Sequence, residues 1–201
     1  MPQPLVLACG ALVSELRAVL AADGLTDHID VRYLPANLHN RPDRIVPSLR
    51  DLLIELDPDQ DRDVLLGYAD CGTGGALDAL IAERTNLRRL PGDHCYEFFA
   101  GSDVFSALAD AELGTFYLTD FLAKHFDALV WQGLQLDRHP ELLTAYFGNY
   151  TRVVLLSQTE RADVLEAGQR AAEQLGLRFE HVHVGLIRFH DAVSVSLGKV
   201  A

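Results

Sequence analysis

The sequence predicts an α/β protein with a mainly parallel sheet flanked by helices. Short runs rich in Val and Leu alternate with segments whose apolar residues recur at helical spacing, and that alternation marks parallel α/β architecture. The chain of 201 residues is 49 % hydrophobic, enough for one substantial core, and no Ser/Gly/Pro-rich linker or charge block divides it. The expectation is one domain over 1–201, or one domain with an embedded lobe.

Taken in order, the expected strands are "PLVLACG", "IDVRYLP", "DVLLGYA", "LRRLP", "ALVWQGL", "RVVLLSQ" and "RFEHVHV". Helices are expected between them. "ALVSELRAVLAADG" ends in Gly24, a C-cap residue, and "RADVLEAGQRAAEQLG" stops in the same way at Gly176. "IVPSLRDLLIELD" carries Pro47, which a helix tolerates only in its first turn. "GGALDALIAERTN" completes the set.

A faint repeat runs through this order, in units 4–60, 61–112 and 150–198. The first two share strand, Cys-Gly, helix, strand, Leu-Pro and then a histidine, which matches Cys9 with Cys71 and Pro35 with Pro91 and brings His39 near His94. The third ends its first strand in Ser157-Gln158, without a cysteine.

The formal charge is −12, with no basic cluster, which argues against a nucleic-acid partner. The opening "MPQPLVLACGAL" has no positive region, and its apolar run is far shorter than a membrane span, so a cytoplasmic protein with no membrane partner is expected. In a reducing compartment the three cysteines, an odd number, point to metal binding, nucleophilic chemistry or burial, not to disulfides.

In open α/β sheets ligands bind beyond the carboxyl ends of the strands. Cys9 and Cys71 fall at that rim, each followed by Gly and a helix start, and Cys95 follows "LRRLP" in "LPGDHCYEFF". The three are therefore expected around one centre. A helix N-terminus is also expected to lower the pKa of a thiol there. Three thiolates with one open position suit a catalytic zinc or a [4Fe–4S] cluster with a free iron, and His39 or His94 would close a zinc shell.

Around that centre, His94, Asp93 and Glu97 are candidates for moving protons. His39, Asn40 and Arg41 in "LHNRPDRI" are candidates for binding substrate, Arg41 or Arg44 by gripping a carboxylate or phosphate. A helix start with Asn40 near the cap and Pro42 in the first turn explains the same letters. Thr73, Gly74 and Gly75 in "DCGTGG" resemble a loop whose N–H groups cradle an anion, although it lacks the P-loop Lys. Further along, Asp120 is expected to pair with a basic group. "LDRHPE" offers Asp137, Arg138, His139 and Glu141 at a strand end, and His181 and His183 alternate along one strand face.

The strings "LACGAL", "LHNRPDRI", "GYADCGTGG", "PGDHCYEFFAG", "GTFYLTDFL" and "LDRHPELL…FGNY" together resemble the bacterial and archaeal family catalogued as domain of unknown function 1638. The resemblance implies no activity; it implies a loose link to corrinoid-dependent methyltransferase components as partners. In plan the repeats look similar to quinolinate synthase and the diphthamide-forming radical enzymes, where each unit brings a cysteine to a cluster. Gln158 departs from that plan.

Two function classes follow. One is an enzyme, a lyase or transferase, using an open iron–sulfur or zinc site on a small polar or carboxylate substrate. The other is a non-catalytic metal- or corrinoid-handling protein serving a methyltransferase. A Cys95 nucleophile activated by His94 ranks last, because side chains adjacent on a strand diverge.

Overall fold

The computed structural model describes residues 2–198; Met1 and 199–201 of the expected domain lie outside them. These residues form two compact units, one running to Phe98 and resuming at Phe189, the other spanning Phe99–Arg188.

The first unit contains β1 (Leu5–Cys9), α1 (Val13–Ala22), β2 (Asp30–Leu34), α2 (Pro42–Leu56), β3 (Val64–Gly67), α3 (Ala76–Ala82) and β4 (Leu87–Arg89). It also holds most of α4 (Cys95–Ala100) and of the C-terminal helix α9 (Ile187–Gly198). Its four strands are all parallel, in the order β2-β1-β3-β4. The chain leaves β1 in one direction and β3 in the other, so the strand order reverses between β1 and β3. In such sheets that reversal opens a crevice at the carboxyl ends.

The central strands are continuous apolar runs because both of their faces are covered. Leu5, Leu7, Val64, Leu66 and Tyr68 pack with Ile45, Leu49 and Leu53 of α2 and Leu77 and Leu80 of α3. Val6, Ala8 and Leu65 alternate to the opposite face and are equally buried. Right-handed crossovers running in opposite directions put their helices on opposite faces, which leaves α1 and α9 for this second layer. The helix starts at Pro42, before the expected start, so Pro47 lies inside α2 and not in its first turn, and the helix forgoes the bond that an N–H there would make to the Asp43 carbonyl.

At the amino-end rim, buried Asp57 pairs with Arg84 and accepts from Asn86 Nδ2 at 3.0 Å and from the Arg62 backbone N–H at 3.1 Å. This polar knot ties the end of α2 to the segments that lead into β3 and β4.

The second unit contains α5 (Ser102–Ala111), β5 (Thr115–Leu118), α6 (Asp120–Lys124), α7 (Leu143–Phe147), β6 (Arg152–Ser157), α8 (Ala162–Leu175) and β7 (Arg178–His183). Its strands form a parallel sheet in the order β5-β6-β7. Two expectations change here. "ALVWQGL" is no strand: Asp127–Trp131 forms a π-helical turn with Val130 buried. The strand is instead Thr115–Leu118, inside "GTFYLTDF".

Candidate metal and substrate site

The two central strands β1 and β3 and the edge strand β4 of the first unit each end in or lead to one cysteine toward the carboxyl rim. Cys9 is the last residue of β1, and its sulfur accepts from the Ala11 N–H at 3.5 Å, capping a short 3-10 turn over Gly10–Leu12. Gly10 is required there, because a Cβ would stand 2.8 Å from the Leu34 carbonyl oxygen.

Cys71 follows β3 and is bound to the loop after β4. The Asp70 N–H donates to the Gly92 carbonyl at 3.1 Å and the Cys71 N–H to the Asp93 carbonyl at 2.8 Å. These two bonds extend the β3–β4 pairing beyond the sheet. Cys71 itself has φ 51°, a left-handed conformation that side chains with a Cβ rarely adopt. Strain of this kind persists where the surroundings impose it, and it collects at functional positions.

The glycine-rich loop already holds an anion of its own. Asp70 Oδ1 accepts from the Thr73 hydroxyl at 2.7 Å and from the Gly75 N–H at 2.9 Å, while Oδ2 accepts from the Gly74 N–H at 3.1 Å. Desolvation works to raise the Asp70 pKa, but these hydrogen bonds, with Arg89, together lower it. The donors expected to cradle a substrate are therefore turned onto Asp70.

Cys95 opens α4, and the turn before it is held from both sides. Arg89 makes a two-pronged pair with Asp78 and donates to the Leu90 and Gly92 carbonyls at 2.9 and 3.0 Å. Glu97 Oε2 accepts the Asp93 N–H at 2.9 Å, closing the start of α4 from its third position. Glu97, expected to move protons, is thus engaged in holding the Cys95 turn. Asp93 and His94 are exposed.

The three sulfurs face one another electrostatically. Burial, above all, pushes the Cys9 thiol up, against the Ala11 N–H and the Tyr68 hydroxyl. Burial, then the Cys9 charge, raises Cys71 to about 12. Cys95 stands well above its ordinary value through burial, then Cys71 and Cys9. The expected lowering by helix N-termini is overturned, because loss of hydration outweighs the dipole. Each thiol is neutral alone, and a bound cation inverts that balance. Among the described residues no group of three or more His, Cys, Asp or Glu is arranged to hold a metal ion as the side chains stand.

Tyr68, unmarked in the sequence, belongs to the core against which Cys9 and Cys71 pack. It is 2 % exposed, and the thiolate charges of Cys9 and Cys71 act on its hydroxyl.

The segment after β2 reaches this rim. His39 is exposed to solvent yet partly stripped of water by its surroundings; desolvation, then the charge of His94, lowers its pKa. The histidines of the first two repeats are therefore close enough for the charge of one to act on the other. Pro42 packs against the Cys71-Gly72 turn, with its Cγ 3.4 Å from where a Gly72 Cβ would stand. Arg41, the residue before α2, is exposed, as is Asn40.

The other flagged groups belong to the second unit. Among the described residues Asp120 forms no close ion pair, although its charge acts on Arg161; it accepts from the Gln158 N–H at 2.9 Å and the Thr159 N–H at 3.0 Å. The Ser157 hydroxyl lies 2.8 Å from His181 Nε2 and 3.1 Å from His183 Nδ1, and His139 pairs with Glu141.

A family model described as "Protein of unknown function (DUF1638)" matches residues 33–193. The chain belongs to that family. The DUF1638 match contains Cys71, Cys95, His39 and His94 and begins after Cys9. No curated protein and no solved structure matches the chain significantly. No helix among the described residues is long and apolar enough to cross a membrane.

Proposed function

We propose that this DUF1638 protein is a metal-dependent enzyme in which Cys9, Cys71 and Cys95 hold a [4Fe–4S] cluster that acts on a small carboxylate substrate. What carries the proposal is the placement of three half-buried thiols at or after the ends of β1, β3 and β4 at one carboxyl rim, each raised by burial and two of them also by the charges of the other cysteines. Three thiolates on one zinc would lie within about 4 Å of one another, with Zn–S near 2.3 Å. A cubane separates its protein sulfurs more widely and still needs all three thiolates to face one centre.

When bound, such a cluster supplies a Lewis-acidic iron with an open position. The chain supplies the rest. His39, with its pKa lowered, is neutral near pH 7 and is able to accept a proton, and His94 beside it relays or returns one. Arg41, next to Pro42 and the Cys71 turn, provides positive charge for a substrate carboxylate. Proton removal beside a carboxylate held by Arg41 is chemistry of the lyase kind.

Purification without oxygen, followed by metal and sulfide analysis and a visible spectrum, tests the proposal. A brown protein with iron and sulfide supports it, and a His94→Ala variant should keep that iron while losing turnover. A colourless protein with one zinc contradicts the cluster, and a metal-free one contradicts the whole reading.

A further inference from the structure

Tyr68 follows β3 directly, and its ring is part of the core formed with α2 and α3, at the edge where Cys9 and Cys71 pack. Among the described residues its buried hydroxyl has no hydrogen-bond partner, sulfur included. The groups that act on it are the sulfurs of Cys9 and Cys71, and Cys9 is the one within its reach as an acceptor. A neutral thiol is a weak acceptor, so the phenol is buried at a cost that Phe would avoid in the same volume. Buried polar groups left in this state call for an explanation, and a missing acceptor is the simplest one.

We propose that Tyr68 is a positioning residue of the thiolate centre: its O–H donates to the Cys9 sulfur once that sulfur is a bound thiolate, and so raises the centre's reduction potential. This rests on the three-thiolate reading above. A charged sulfur accepts far more strongly than a thiol, which turns the orphaned hydroxyl into a charge-assisted hydrogen bond. Hydrogen bonds to cluster sulfurs are among the means by which a protein sets cluster potentials, because they favour the form with more negative charge. All three sulfurs have backbone donors: Ala11 for Cys9, Ala69 and Cys95 for Cys71, and Cys95 and Tyr96 for Cys95; a side-chain hydroxyl is added on the Cys9 side alone among these interactions. Tyr68 therefore gives the centre a side-chain donor on the Cys9 side, where substitution reaches it without touching the backbone.

The test compares wild type with Tyr68→Phe after anaerobic reconstitution with iron and sulfide. Metal and sulfide content is read first, then the midpoint potential, then the Fe–S stretching bands in H2O and D2O. Tyr68→Phe should keep the wild-type content, shift the potential to more negative values and shrink the D2O shift on the Cys9 side to the part that the Ala11 N–H supplies. Unchanged potential and unchanged D2O shift at full content would overturn the role of Tyr68 alone. A wild type that takes up no iron and sulfide defeats the three-thiolate reading, and the Tyr68 role with it. If Tyr68→Phe does not fold, replacement by a fluorotyrosine, a stronger donor of the same shape, should move the potential positive, and no movement overturns the role.

Discussion

The backbone N–H of Cys71 donates to the carbonyl of Asp93 at 2.8 Å, so the loops that carry Cys71 and Cys95 form one hydrogen-bonded unit. The geometry of one cysteine is thereby transmitted to the other, and residues that shape either loop act on both.

Gly92 is the first such residue. It has φ 92°, and a Cβ there would meet Glu97 Oε2 at 2.6 Å. Gly92→Ala must therefore strain the backbone and push away the carboxylate that holds the Asp93 N–H. Denaturant unfolding should show a loss of roughly 1–2 kcal/mol, and metal retention should fall with it.

Glu97 separates capping from catalysis. Glu97→Gln keeps an acceptor for the Asp93 N–H, whereas Glu97→Ala removes it. The Ala variant should lose about 0.5–2 kcal/mol, the usual range for a lost cap, while the Gln variant should unfold close to wild type and keep turnover. Loss of turnover in Glu97→Gln at normal stability would restore the proton-moving role.

Much of this was legible in the sequence. The doubly buried runs of β1 and β3 betray central parallel strands, and the Cys-Gly pairs after them mark the rim where the cysteines lie. The run around Val130 and Trp131 misleads because an apolar stretch of that length has no period to separate strand from helix, and in the fold it winds as a π-turn. The roles of Asp70 and Glu97 depend on which N–H groups tertiary structure brings to them, although an Asp preceding Gly-rich loop residues is a turn signal. Tyr68 reads as one more apolar residue at a strand end; only the convergence of Cys9 and Cys71 makes its hydroxyl conspicuous.

Cys71 offers a test of strain. Its φ of 51° is a conformation that costs a residue with a Cβ roughly 1–2 kcal/mol, while Gly gives back about 0.5–1 kcal/mol in unfolded-chain entropy. Cys71→Gly should therefore change stability by less than about 1 kcal/mol and still lose the metal. A large loss of stability would mean that the Cys71 side chain is chiefly a packing residue.

The contact between Asp23, after α1, and α9 should respond to pH. Asp23 Oδ1 lies 2.7 Å from His190 Nε2, and Asp23 Oδ2 accepts from the Ser194 hydroxyl at 3.0 Å. The bond to Asp23 raises the His190 pKa, and the bonds from His190 and Ser194 lower that of Asp23. The His190 contribution is complete below its unfolded pKa of about 6.5 and is lost as pH rises through the raised folded value. The Asp23 contribution is complete above its unfolded pKa of about 3.9 and is lost as pH falls through the lowered folded value. The stability gap between wild type and His190→Ala should thus be widest between these two unfolded values and close at either extreme. A gap independent of pH would mean that His190 contributes by packing alone.

The central claim is that one centre needs all three cysteines. Its most direct test is the iron and acid-labile sulfide bound per chain after anaerobic reconstitution of the wild type and of Cys9→Ser, Cys71→Ser and Cys95→Ser. The account predicts a loaded wild type and loss of most of the iron and sulfide in each variant, because a site short of one thiolate holds its metal poorly. Full loading in all three variants, or none in the wild type, would contradict it.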